Sequence, residues 1–310
     1  MTLLSTPFDA RSTATEVLAG VDLSGKRMIV TGGASGLGAE TVRALALAGA
    51  DVTVATRNPA SGAALAEDLP TVTLAALDLA DPASVRAFAE SWSGPLHALV
   101  ANAGIMAVPT RQLNPVGWEL QLATNFLGHF QLAHRLHGAL RAAGSARVVV
   151  VSSGVQRGTP VDLDDPNFER RPYDPWTAYA QSKTAGVLLA VGVSRHWDQD
   201  GITANALAPG FVHTNLQRLV PAETMRAMGA MDDEGNLLTP AYYKTPEQGA
   251  ATSVLLAGSP LVEGVTGRYF EDAQEAAVVP GGPEARSGVA SWSVDPDTAD
   301  RLWDLALSTL

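Results

Sequence analysis

Met28-Ile29-Val30-Thr31-Gly32-Gly33-Ala34-Ser35-Gly36-Leu37-Gly38, running into Thr41-Val42-Arg43-Ala44-Leu45-Ala46, decides the fold. A short apolar run enters a glycine-rich turn, and a helical pattern leaves it. That order places Gly32, Ser35, Gly36, Leu37 and Gly38 at a helix N-terminus, where bare amides and the helix dipole favour a pyrophosphate. The spacing of Gly32, Gly36 and Gly38 is G-x-x-x-G-x-G, which departs from the strict G-x-G-x-x-G.

Working outward, further short apolar runs recur between helical patterns: Val52–Val54, Val72–Leu74, Leu96–Val100, Val148–Val151 and Ile202–Leu207. Alternation of this kind predicts parallel strands joined by crossover helices, and strands apolar on both faces predict helices on both sides. The expected class is α/β, a doubly wound parallel sheet of the Rossmann type in three α/β/α layers. With no repeat and no dividing linker, residues 1–310 read as a single domain. Residues 1–21 form an N-terminal arm, with a capping box at Thr13-Ala14-Thr15-Glu16. Residues 280–310 form a C-terminal tail, with Asp295-Pro296 starting a helix whose apolar stripe is Leu302, Trp303, Ala306 and Leu310.

A hydrophobic content of 46% supports a sizeable core, and the net charge of −11 argues against a duplex nucleic-acid binder. The chain has no cysteine, which removes disulfides, thiolate metal sites and a cysteine nucleophile. His97, His129, His134 and His137 form no metal-ligand motif; His134 and His137 read as solvated surface, and no metal is expected. Neither a secretory leader nor a run of about 20 apolar residues is visible, so the expected location is the cytoplasm, without a membrane partner.

Chemistry enters at the carboxyl ends of the strands. The second run ends at Arg57, whose guanidinium offers a fork to a ribose 2′-phosphate where an acidic residue would hold a free hydroxyl. This favours NADP(H), with NAD(H) the alternative and a merely solvated arginine the bland reading. Ser35 could bind the same phosphate. Asp78-Leu79 follows the third run and Asn102-Ala103-Gly104 the fourth. Later, Ser152-Ser153 ends the fifth run, and Tyr179 and Lys183, four apart, share one face of a helix.

In one chain order, T-G-x-x-x-G-x-G at Thr31–Gly38, Asn102-Ala103-Gly104, Asn125, Ser153, Tyr179 with Lys183, and Pro209-Gly210 with Val212 and Thr214 resemble the short-chain dehydrogenase/reductase family. The resemblance covers about residues 22–270. Ala55-Thr56-Arg57-Asn58, Thr124–Phe130 and the long interval between Ser153 and Tyr179 are most similar to its retinol-dehydrogenase and WW-domain-oxidoreductase-like branch. The resemblance implies that Tyr179 exchanges a proton with the substrate oxygen. Lys183 would lower the phenol's pKa and bind the nicotinamide ribose, and Asn125 would hold a water leading to Lys183. It selects Ser153 over Ser152 to orient the substrate oxygen, and gives Thr214 the carboxamide.

Two excursions, 154–175 and 211–243, are expected to wall the substrate pocket and act as a lid. The methionines and leucines of the second suit a bulky hydrophobic ketone, aldehyde or secondary alcohol. Packing within the lid's own core, or at a subunit contact, is the competing reading. The expected activity is interconversion of carbonyl and alcohol by hydride transfer. The alternative is an NADP-binding sensor without turnover. The family relation also raises a homodimer or homotetramer.

Overall fold

In a computed structural model, residues 3–310 are described, so the first two residues of the expected arm lie outside them. The strands are β1 (Arg27–Thr31), β2 (Asp51–Thr56), β3 (Val72–Ala76), β4 (Ala98–Ala101), β5 (Ala146–Val151), β6 (Ile202–Ala208), β7 (Arg268–Glu271) and β8 (Gln274–Glu275). They form one eight-stranded sheet in the order β3-β2-β1-β4-β5-β6-β7-β8, parallel except for the last pair. A small parallel pair, β9 (Val278–Val279) and β10 (Val289–Ala290), lies apart.

Successive side chains along each strand explain the layers. Ile29, Leu99, Val148 and Val150 enter one buried cluster, whereas Met28, Val30, Val100, Val149 and Val151 enter the other. Both faces are therefore apolar and both need a cover. The helices before the middle of the chain are α1 (Ala14–Val17), α2 (Gly36–Leu47), α3 (Ala63–Asp68) and α4 (Pro82–Ser91). They are followed by α5 (Leu120–Leu122), a π-helical turn Ala123–Leu127, α6 (Gly128–Arg135) and α7 (His137–Ala142). The rest are α8 (Pro175–His196), α9 (Ala222–Ala227), α10 (Pro246–Gly258) and α11 (Pro296–Leu307). Helices α1, α2 and α10 pack together over one face; α4, α6, α8 and α11 cover the other. This is the three-layer doubly wound sheet that the sequence predicts.

Strands β7 to β10 were not legible in the sequence. Arg268-Tyr269-Phe270-Glu271 offers only two apolar residues between charged ends, too short a run to register as a strand. The capping box of α1 forms as expected, with Thr13 and Glu16 bonding reciprocally. Asp295 caps α11, and Leu302, Trp303 and Ala306 are buried. Leu310 departs from the expected stripe: it lies past the helix end and is 40% exposed. Helix α11 docks on its own chain, where Gly192 of α8 leaves room for Trp303. A Cβ there would stand 2.7 Å from the indole.

His134 and His137 are packed, contrary to the solvated reading. His134 stacks on Phe130, and His137 lies against Trp197 with Nε2 2.8 Å from Asp200. Among the described residues no group of acidic and histidine side chains could hold a metal. No helix among them is long and apolar enough to cross a membrane.

Candidate active site

The strand order reverses between β1 and β4, and a cleft of about 1300 Å³ opens at the carboxyl ends of the strands beside that point. Every residue expected to touch a cofactor lines this cleft, from Gly32 through Arg57, Asp78 and Asn102 to Thr214. Ser153, Tyr179 and Lys183 line it too. Asn125 does not: it is buried behind the wall.

The glycine turn has the geometry a pyrophosphate needs. Gly32 and Gly36 hold φ of 64° and 54°, which glycine adopts without strain. A Cβ on Gly38 would sit 2.3 Å from the Gly32 carbonyl oxygen and 2.6 Å from Asn102 Nδ2. Ser35 precedes α2 but makes no side-chain capping bond, so the hydroxyl and the first amides of the helix face the cleft without that internal partner. Just past the end of β2, Arg57 is exposed and makes no hydrogen bond or ion pair among the described residues. These features fit a dinucleotide with a phosphate near Arg57.

Asn102 has a holding role that sequence alone did not reveal. Its Nδ2 donates to the Thr31 carbonyl at 2.8 Å, tying the end of β1 to the end of β4. Asp78 accepts from Ala80 N and shapes the turn after β3. Thr214 caps the 3₁₀ turn Asn215–Leu219, reciprocally with Gln217, and its methyl approaches Gly36.

Tyr179 and Lys183 lie on α8, which Asp174 caps and Pro175 starts. Both side chains are almost wholly buried. Burial pushes the Tyr179 phenol well above its ordinary pKa, while the Ser153 hydroxyl, bonding to it, opposes the rise. Burial also brings Lys183 down to about 8. Among the described residues no hydrogen bond runs from Lys183 to the phenol. Lys183 Nζ donates to the Val151 carbonyl at 2.9 Å and stands 5.7 Å from the centre of the tyrosine ring, so desolvation dominates.

The serine pair divides cleanly. Ser152 Oγ donates to the Lys183 carbonyl at 2.7 Å, whereas Ser153 caps the short turn Gly154–Arg157 and meets Tyr179. Asn125 sits within the π-helical turn. Its amide is committed to Ile105 N and O and to Ser182 Oγ, at 2.9, 3.0 and 2.8 Å.

Around Tyr179 the cleft becomes apolar. Met106, Ala107, Val155, Trp176, Leu216 and Val220 cluster with the tyrosine. Phe211, Leu219, Met228 and Tyr242 continue this lining and remain 39–53% exposed. The first excursion contributes less than expected. Gly154, Val155 and Arg157 reach the cleft, while Asp162, Asp165, Phe168 and Arg171 bind one another and Gln181 along α8. Sequence reasoning missed Met106, Lys244, Glu271, Asp272 and Arg286, all of which line the cleft. Lys244 is buried at 2.6 Å from Asp272, and Arg157 stands 2.8 Å from Glu271. Glu271 is the last residue of β7, so the missed strand explains the missed wall.

His129, unassigned in the sequence, is fully buried, with Nδ1 3.0 Å from the Asn125 carbonyl and Nε2 2.9 Å from Thr31 Oγ1. Burial, and secondarily the Lys183 charge, bring its pKa down to about 4. The native imidazole thus stays neutral while an unfolded one protonates near 6.5. Its contribution to stability is complete above pH 6.5 and is lost as pH falls toward 4, on the order of 3 kcal/mol. Melting curves between pH 7 and 4 are expected to show this loss, and His129→Gln to flatten it. An unchanged slope in the variant would place the acid sensitivity elsewhere.

The short chain dehydrogenase family model matches residues 26–224. The chain is 64% identical to a probable oxidoreductase of Streptomyces lividans, over 94% of this chain and 99% of that relative. It is 34% identical to retinol dehydrogenase 14 of Homo sapiens, over 92% and 86% of the two chains. Among solved structures, it resembles a gluconate 5-dehydrogenase from Burkholderia cenocepacia in complex with NADP and tartrate. That match has a TM-score of 0.61 and 26% identity, covering 81% of this chain and 94% of the other.

Proposed function

This chain belongs to the short-chain dehydrogenase family, in its retinol-dehydrogenase-like branch, and we propose that it interconverts a bulky hydrophobic carbonyl compound and the corresponding alcohol with NADP(H). The observation that carries this reading is a buried Tyr179 phenol beside the Ser153 hydroxyl, facing an apolar chamber continuous with the glycine turn. The bound nicotinamide would supply or accept the hydride.

In the reduction direction, Tyr179 donates its proton to the substrate oxygen. Ser153 bonds the same oxygen and fixes its distance from the phenol, so the developing negative charge meets two donors already in place. Lys183, anchored on the Val151 carbonyl, holds the nicotinamide ribose. Asn125 supports the helix that carries Tyr179 through Ser182. Thr214 takes the carboxamide, and Gly32, Ser35, Gly36, Leu37 and Gly38 take the pyrophosphate. Asp78, Leu79, Asn102, Ala103, Gly104, Pro209, Gly210 and Val212 shape the remaining cofactor wall. Residues 211–243 act as a lid, their apolar side chains excluding water from the substrate.

Arg57 supplies the preference for NADP over NAD, supported by an exposed guanidinium without a partner among the described residues just past β2 and by the NADP in the similar gluconate 5-dehydrogenase. Initial rates with NADPH and NADH against bulky aldehydes, ketones and diketones test this. Turnover is expected to prefer NADPH. Arg57→Ala should raise the KM for NADPH at least about tenfold, about 1.4 kcal/mol, and leave NADH little changed. Equal losses with both cofactors would sink the assignment. Cofactor binding without any turnover would favour a sensor instead.

A further inference from the structure

His129 joins two parts of the site that are far apart in sequence. A carbonyl oxygen can only accept, so Nδ1 carries the proton donated to Asn125 O, and Nε2 is left as an acceptor. Thr31 Oγ1 therefore donates to Nε2 at 2.9 Å, the shorter of its two contacts with acceptors, the Val100 carbonyl being at 3.3 Å, while accepting from Asn102 N and Ala103 N, each at 3.0 Å. On the other side, Asn125 Nδ2 donates to Ser182 Oγ, and Ser182 Oγ donates to the Tyr179 carbonyl at 2.7 Å. The result is one buried path from the cofactor turn through His129 and Asn125 to the helix carrying Tyr179 and Lys183.

The π-helical turn Ala123–Leu127 places Asn125 on this path. Its Oδ1 and Lys183 Nζ lie on the same side of Gly104: a Cβ built there would be 3.1 Å from the first and 3.6 Å from the second. Displacing Asn125 would consequently disturb the volume beside Lys183. The ring is 1% exposed, so a broken bond at either nitrogen would leave a buried polar group without a partner.

We propose that His129 is a positioning residue that fixes the cofactor turn and the Asn125 turn in one register, with Nε2 serving cofactor binding through Thr31 and Nδ1 serving turnover through Asn125. The inference rests on the proposed reductase function for its turnover arm only. Two conservative replacements separate the arms. Gln at 129 can keep an acceptor for Thr31 without a donor for Asn125. Asn can keep the donor for Asn125 without reaching Thr31.

The test combines NADPH titration by cofactor fluorescence with kcat at saturating NADPH, using the fastest carbonyl of the panel. His129→Gln should keep the NADPH Kd within about twofold and lose about tenfold in kcat. His129→Asn should weaken NADPH binding about tenfold and keep kcat within about threefold. Thr31→Val should reproduce the binding loss and be non-additive with His129→Asn, and Thr31→Ser should restore it. Equal losses in both His129 variants, additive effects with Thr31→Val, or unchanged Kd and kcat would each overturn the proposal. If the His129 variants fail to fold, nitrogen-15 NMR of the wild-type imidazole decides: the form protonated on Nδ1 is expected, and the form protonated on Nε2 would overturn the proposal. A wild-type protein that binds NADPH but reduces no carbonyl would count against the functional reading, while the Kd comparisons would still judge His129.

Discussion

Tyr179→Phe is expected to lower kcat by about a thousandfold while leaving the cofactor Kd unchanged, the range expected when a general acid is removed. The substitution deletes one oxygen whose side-chain partner is Ser153. The ring itself stays supported, 6.3 Å from Trp176 in an edge-on arrangement and buried among Met106 and Ala107. Folding and the cofactor cleft should therefore survive. Steady-state rates with NADPH, paired with a fluorescence titration of the cofactor, check this. A variant retaining more than about a tenth of the wild-type rate would move the acid role to another group.

Gly38→Ala is expected to weaken dinucleotide binding at least about a hundredfold, on the order of 3 kcal/mol. Its Cβ would meet the Gly32 carbonyl oxygen at 2.3 Å, Asn102 Nδ2 at 2.6 Å and Gly33 Cα at 2.9 Å. Two of these are backbone atoms, so the turn has to move as a whole, taking with it the amides at the start of α2. Gly138→Ala in α7 is the control, because a Cβ there meets nothing within 4 Å. It should leave binding unchanged. A cofactor Kd in Gly38→Ala within about threefold of the wild type would show that the turn does not contact the dinucleotide.

The parts of the fold that could be read from sequence are those with strong local signals. β1 and α2 announce themselves through an apolar run, three spaced glycines and a helical stripe, and β5 through four consecutive valines. The two caps of the terminal helices were legible because capping uses a fixed spacing of a few side chains. The substrate wall was not. Glu271, Asp272 and Arg286 come to the cleft through β7 and the segment after it, placed by long-range packing that leaves no periodic trace in so short a strand. His129 shows the same limit. The sequence presents an isolated histidine on a helical pattern, and only the folded chain brings Thr31, 98 residues earlier, within a hydrogen bond of it.

The phenol illustrates a different limit. Tyr179 and Lys183 are neighbours on α8, as their spacing requires, but spacing does not determine where an ammonium points. Here the Val151 carbonyl takes it. We propose that Tyr179 gives this proton to the carbonyl oxygen in the reducing direction and takes it back in the other.

Direct transfer of hydrogen tests that account most closely. NADPH carrying deuterium on C4 of the nicotinamide, on the transferred face, would be incubated with the protein and the fastest carbonyl of the panel. The product alcohol would then be examined by mass spectrometry and NMR. The account predicts one deuterium on the carbinol carbon for each NADPH oxidised, and none when Tyr179→Phe replaces the wild type over the same interval. Oxidation of NADPH without labelled alcohol, or alcohol formed without the label, would contradict it.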